Sequence, residues 1–444
     1  MRQSSIARTA LGTVGAVRCR FPATFLNFNG VSQDESCESM ADFAQNGIIG
    51  TLHNLRNRST EELEAELVGF SQDTPMSLLL PCLYSELEGP AMGPIVEELA
   101  KIPYLSEIII GLDRANESQF QAARRFFEKL PQNYVVLWND GTRLRHVDAA
   151  LQSEGLAPTE PGKGRNVWYC LGYFLASGKS KAVALHDCDI LTYDRSMPAR
   201  LLYPLAHPSF HYQFCKGYYY RAASGKLNGR VYRLLVIPLL VALKQVLGHN
   251  DYLDYMSSFR YSLAGEFSMR SEVVSSLRFP SDWGLEIGTL SEMYRNCSLN
   301  RICQVDIADS YDHKHQPVSE ENRSGGLHRM AHDISKALFR KLSVEGVVIT
   351  SEMLRTLKAC YYRTALDVVD HYNNDAVMSG LVLDRHQEEA TVELFSRVVL
   401  AAGDEFLNRP DESPFIHNWS RVVSAVPDVF DRILGAVEAD NASR

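Results

Sequence analysis

Ala182-Val183-Ala184-Leu185-His186-Asp187-Cys188-Asp189 reads as a short apolar strand that runs directly into two carboxylates one residue apart. On extended backbone, side chains at i and i+2 point the same way. Asp187 and Asp189 can therefore face one hard cation that keeps waters and takes its other ligands from substrate phosphates. The same Asp-x-Asp spacing also suits a solvated loop or a helix cap. Upstream lie three more apolar runs, Met76 to Leu83, Glu107 to Leu112 and Tyr134 to Trp138. The amphipathic stretches Pro94 to Ala100, Glu117 to Leu130 and Asn166 to Ala176 separate the four runs. Apolar runs alternating with helical patterns predict an α/β fold, with a parallel sheet covered on both faces. Polar clusters follow each run: Tyr84-Ser85-Glu86, Asp113-Arg114, Asn139-Asp140-Gly141 and His186 to Asp189. Ligands of open α/β sheets sit outside the carboxyl ends of the strands, so these clusters predict one continuous site for a large polar ligand. Taken singly, each is also what any polar loop looks like.

The rest of the chain narrows the class. Its 444 residues are 45% hydrophobic and 22% charged, which suits one large globular domain or two unequal ones and excludes a disordered or fibrous chain. A formal charge of -9 argues against a nucleic-acid partner. Nine cysteines without a CxxC pair argue against a disulfide framework or zinc ribbon and for a reducing, cytoplasmic setting. The most apolar stretch, Leu234 to Leu243, is interrupted by Pro238 and is about half the length a bilayer requires, so no membrane partner is expected. Residues 1–45 carry Arg2, Arg8, Arg18 and Arg20 with no acid before Asp34, and are expected to be a loosely ordered leader or a mis-assigned start.

Further groups of residues suggest chemistry. Pro161-Gly162-Lys163-Gly164-Arg165 is basic and Gly-rich and opens a helix, a setting in which backbone and helix terminus favour an anion. It is neither a Walker A sequence nor GxGxxG, and a plain flexible loop would read the same way. Glu286, in Trp283-Gly284-Leu285-Glu286-Ile287-Gly288, is an acid among apolar residues that needs either a structural partner or a ligand. Asp312-His313-Lys314-His315-Gln316 offers two imidazoles, and Arg230 after Gly229 offers a guanidinium fork for a carboxylate or phosphate. GxSxG and HExxH are both missing from the chain.

In this order, the motifs resemble the retaining GT-A glycosyltransferases, specifically the glucosyl-3-phosphoglycerate synthase family and its mannosyl-transferring relatives. The resemblance spans about Leu78 to Gln316 and includes Lys216-Gly217-Tyr218-Tyr219, Gly229-Arg230-Val231 and Gly265-Glu266-Phe267. It implies a Rossmann-like nucleotide-diphospho-sugar transferase fold with a C-terminal helical extension. It also implies glucose transfer from UDP- or GDP-glucose to 3-phosphoglycerate, Mg2+ or Mn2+ as cofactor, and a homodimer. Pro81 and Leu83 would line the nucleobase pocket, with Glu86 near base or ribose and Asp113 near the nucleotide. Lys163 would contact the diphosphate, Asp187 would hold ribose and metal, and Asp189 would be a direct metal ligand. His313 would complete the metal site, with His315 as the competing assignment. Glu286 would hold donor-sugar hydroxyls, and Asp189, Glu286 and Lys163 together would form the catalytic set. Gly229, Arg230 and Tyr232 would face the acceptor. Tyr232 and Arg233 stand where the family often has a Thr and an acid.

The expected organisation is the leader, a nucleotide-sugar half over 46–195, an acceptor half over 196–320 and a helical region over 321–444. Helices are expected at Leu327–Leu342, Ser351–Tyr372, His386–Ala402 and Trp419–Val437, for packing or oligomerisation rather than chemistry. Three alternatives remain: mannosyl transfer or another small anionic acceptor on the same fold, a metal-dependent hydrolase, and a non-catalytic nucleotide-sugar sensor.

Overall fold

Ten strands carry the architecture: β1 Gly50–Leu52, β2 Met76–Leu83, β3 Leu105–Asp113, β4 Tyr134–Trp138, β5 Ala182–Leu185, β6 Phe214–Tyr218, β7 Ala222–Ala223, β8 Lys226–Leu227, β9 Phe267–Arg270 and β10 Ile302–Asp306. They are seen in a computed structural model that describes residues 45, 47–313, 326–410 and 415–442. His315 and, apart from Gln45, the leader lie outside those residues. Eight strands form one sheet in the order β1-β10-β6-β9-β5-β2-β3-β4, while β7 and β8 make a small separate hairpin. β9 runs antiparallel to both β5 and β6, and the other sheet pairs are parallel.

The continuous apolar runs have a simple cause. Successive side chains of a strand enter opposite faces, and both faces here are covered. Leu79, Ile109, Leu137 and Leu185 join one core with the helix Lys163–Ser177. Leu78, Ile108, Val136 and Ala184 join the other, under the helices Met92–Leu99, Glu117–Phe127 and Ser196–Ala206. Each such side chain is buried, a gain of roughly 1.5–3 kcal/mol apiece for Leu, Ile and Val and less for Ala184, before entropy is counted.

The later helices extend the first core. The helices Gly326–Val344, Ser351–Met378 and Arg385–Asn408 bury Leu338, Leu354, Tyr361 and Phe395 in the same cluster as Val231 and Leu235. The helix expected over Trp419–Val437 is two, Trp419–Ala425 and Val429–Ala442, because Pro427 lacks an N–H and restricts Val426 before it. The second of them closes the sheet edge at β4. Its Asn441 accepts from the Val136 amide at 3.1 Å and donates to the Val136 carbonyl at 2.9 Å. Among the described residues, no helix is long and apolar enough to cross a membrane.

Candidate active site

The carboxyl end of β5 delivers the acids. Along 186–190 the burial alternates: His186, Cys188 and Ile190 are buried, while Asp187 and Asp189 are part-exposed, as strand geometry requires. His186 is fully enclosed, and burial pulls its imidazole down to about 3, so it is neutral. A hydrogen bond with Cys82 and then burial push the Cys188 thiol well up, so it is no nucleophile.

The helix Lys163–Ser177 brings Lys163 to the same edge. Its ammonium lies 2.6 Å from Asp187 Oδ1 and 3.6 Å from Glu286 Oε1, Glu286 coming from the first turn of the helix Leu285–Asn296. Burial disfavours charge on Lys163, but Asp187 and Glu286 outweigh it and hold the amine protonated. The start of the Lys163 helix is itself anchored. Arg165 donates to Asp148 Oδ2 at 2.5 Å, and the Tyr169 hydroxyl donates to Asp148 Oδ1 at 2.6 Å.

His313 reaches the site from beyond β10. It forms a β-bridge with Ile190, and its Nδ1 lies 3.4 Å from Asp189 Oδ2. Burial favours the neutral form of Asp189, but the His313 contact prevails and lowers its pKa. Behind this pair, the Glu266 carboxylate accepts from the Tyr219 and Tyr311 hydroxyls at 2.8 Å each. The two rings stack with centroids 3.6 Å apart. Tyr311, two residues before His313, thus ties the histidine's segment to the residues just after β6 and just before β9. Burial and the nearby Asp187 charge raise the Glu266 pKa. Gly265 closes the other side of Asp187, where a Cβ would meet Asp187 Oδ2 at 2.4 Å.

Among the described residues, no three acidic, His or Cys side chains converge as a ready-made metal cage. Asp189 and His313 form a two-donor pair, and Asp187 faces Lys163 beside it. That donor set fits a hard divalent cation whose other positions go to phosphate and water. His315 lies outside the described residues, so the geometry bears only on His313.

The nucleotide-side candidates line the neighbouring strand ends. Pro81 pairs in register with Gly111, and Leu83 with Asp113, while Glu86 lies in the short helix Tyr84–Leu87 that follows. Burial, and then Asp140, push the Asp113 carboxyl up to about 6. The acceptor candidates lie past the β7–β8 hairpin. Gly229 adopts φ +78°, a conformation costly for other residues. Arg230 is part-exposed, whereas the Tyr232 hydroxyl is committed to the Phe259 carbonyl at 2.9 Å. Tyr232 therefore braces this segment from within.

The structure thus gathers Lys163, Asp187, Asp189, Glu286 and His313 at one edge, whereas Arg230 lies past the β7–β8 hairpin and pairs with Glu388. The sequence singled out Glu266 only as part of a motif and did not point to Asp148 or Tyr311. A buried acid answering two tyrosines or an arginine is a tertiary pattern with no local spacing to reveal it.

No family model matches the chain. Among curated proteins, the glucosyl-3-phosphoglycerate synthase of Persephonella marina is 46% identical over 403 residues, covering 91% of this chain and 100% of that one. The glucosyl-3-phosphoglycerate synthase of Methanococcoides burtonii is 38% identical over 403 residues, covering 90% and 98%. Among solved structures, the glucosyl-3-phosphoglycerate synthase of Mycobacterium tuberculosis with Mn2+ and UDP-glucose aligns at a TM-score of 0.48 and 20% identity, over 68% of this chain and 89% of that one.

Proposed function

This chain belongs to the glucosyl-3-phosphoglycerate synthase family, and from that premise we infer that it moves glucose from a nucleoside-diphosphate glucose to 3-phosphoglycerate with retention at the anomeric carbon. The observation that carries the assignment of residues is Lys163, whose ammonium lies between Asp187 and Glu286 at the edge where β5 ends. In the reaction, the bond from the anomeric carbon to the phosphate oxygen breaks and its electrons leave with the diphosphate. The hydroxyl of the acceptor attacks from the same face and gives its proton to the departing oxygen. Lys163 neutralises charge as it develops on the leaving group, an effect that grows toward the transition state. Glu286 accepts hydrogen bonds from sugar hydroxyls, which strengthen as the ring becomes oxocarbenium-like. Asp189 and His313 would hold Mg2+ or Mn2+, which supplies further charge neutralisation at the diphosphate.

Pro81, Leu83, Glu86 and Asp113 are assigned to the nucleoside and Arg230 to the acceptor's anionic groups. The division into a nucleotide-sugar half over 46–195 and an acceptor half over 196–320 follows from those assignments. Nine cysteines without a CxxC pair support a cytoplasmic location. A homodimer is the proposed assembly, and sedimentation measures it directly.

The test is product formation by mass spectrometry with Mg2+, 3-phosphoglycerate and UDP-glucose, GDP-glucose or GDP-mannose offered separately. A hexosyl-phosphoglycerate ion from a glucose donor, abolished in Asp189→Ala, is expected. Product from the mannose donor alone would overturn the sugar assignment. Free sugar without product would point to hydrolysis, and untouched donors in every tube to a sensor.

A further inference from the structure

The acceptor segment is fastened from the far end of the chain. The Val382 amide donates to the Gly225 carbonyl at 2.8 Å, joining the turn after the helix Ser351–Met378 to the β7–β8 hairpin. The Tyr361 hydroxyl donates to the Leu234 carbonyl at 2.5 Å, and the Arg233 guanidinium lies 5.1 Å over the Tyr372 ring. At the centre is Glu388, in the first turn of the helix Arg385–Asn408 and only 2% exposed. Its Oε1 accepts from Arg230 Nε at 2.9 Å and its Oε2 from Arg233 Nη1 at 2.6 Å. Gln387 Oε1 accepts from Arg230 Nη2 at 2.6 Å.

These contacts are selective. A guanidinium offers a side-on edge, Nε with one hydrogen of Nη2, and an end-on edge, Nη1 with the other. Glu388 and Gln387 occupy the side-on edge of Arg230. The end-on edge has no protein partner among the described residues, and that edge suits a bidentate carboxylate or phosphate. Arg233 is committed elsewhere too, with Nε on the Asn228 carbonyl at 2.9 Å, and it is buried.

We propose that Glu388, with Gln387, is a positioning residue for acceptor recognition, fixing the plane of Arg230 so that its end-on edge meets the acceptor anion. This rests on the reading of Arg230 as the acceptor's grip. Charge alone argues for the opposite effect of removing Glu388. Two arginines and one glutamate carry +1, and loss of the carboxylate leaves +2, which would tighten an anion. The sign of the change in acceptor KM therefore separates positioning from simple electrostatics.

The experiment is steady-state kinetics with both substrates varied in Glu388→Gln, Gln387→Ala and Arg230→Ala, alongside thermal melts. Glu388→Gln is expected to raise the acceptor KM about tenfold or more, and Gln387→Ala about two- to fivefold, with the donor KM changed less than about twofold. An acceptor KM that stays level or falls in folded Glu388→Gln overturns the proposal. Should that variant fail to fold, Gln387→Ala decides by the same criterion. Arg230→Ala locates any failure. An unchanged acceptor KM there removes the grip reading itself, whereas a raised one beside unaffected Glu388 and Gln387 variants removes only the positioning role.

Discussion

The floor of the site and the wall proposed to hold the acceptor are built by different means. On the floor, strand ends deliver side chains: β5 presents Asp187 and Asp189, and β3 presents Asp113 in register with Leu83 on β2. The position of these acids follows from sheet register, while Lys163 and Glu286 join them from helix starts and His313 from beyond β10. On the wall, Arg230 stands at the start of a helical stretch, just before the π-helical turn Tyr232–Val236, and owes its orientation to Gln387 and Glu388, more than 150 residues later. Sheet register places the acids at the strand ends, whereas Arg230, off the sheet, is held in place by a distant brace.

Three perturbations on the floor test this contrast, beginning with the largest. Lys163→Met removes the cation between Asp187 and Glu286, leaving two acids facing each other. Its kcat/KM should fall by about 10²–10³ while the acceptor KM moves little. An equal rise in the acceptor KM would mean that floor and wall are not separable.

Gly265→Ala changes no charge, but its Cβ would overlap Asp187 Oδ2 at 2.4 Å and force the carboxylate off Lys163. A loss of about ten- to a hundredfold in kcat with a normal melting profile is expected, since small misplacements at a reacting centre are costly. Full activity would show that the placement of Asp187 is less strict than register implies.

The smallest effect is on stability. Asp113 has a pKa of about 6 when folded against 3.8 as its ordinary value, because burial disfavours the charged form. A raised folded pKa means that the carboxyl's full contribution is present below about pH 4 and is lost as pH rises through 6. Asp113→Asn cannot ionise, so it should match the parent near pH 4 and be roughly 1–3 kcal/mol more stable at pH 7. Melts across that range measure it, and a difference independent of pH would refute the buried-carboxyl account.

Legibility in the sequence follows the same division. The runs Met76 to Leu83, Tyr134 to Trp138 and Ala182 to Leu185 coincide with β2, β4 and β5, because strands buried on both faces leave continuous apolar stretches. β9 escaped notice: Phe267–Arg270 is four residues with no such run, and it becomes a strand only by inserting antiparallel between β5 and β6. Lys163, Asp187, Asp189, Glu286 and His313 stood out because each lies in a short motif. Glu388 did not, since at the start of an amphipathic helix an acid reads as an ordinary first-turn residue. Its pairing with Arg230 and Arg233 becomes visible only once the later helices have packed on Val231 and Leu235.

Asn441 has a consequence for how the chain is made. Its single amide stands in for a neighbouring strand at β4, yet it lies 305 residues downstream of Val136. At ordinary synthesis rates of about 5–20 residues per second, β4 emerges roughly 15–60 s before the residue that covers it. For that interval the growing chain carries an uncovered strand edge, the kind of surface that invites pairing with another nascent chain.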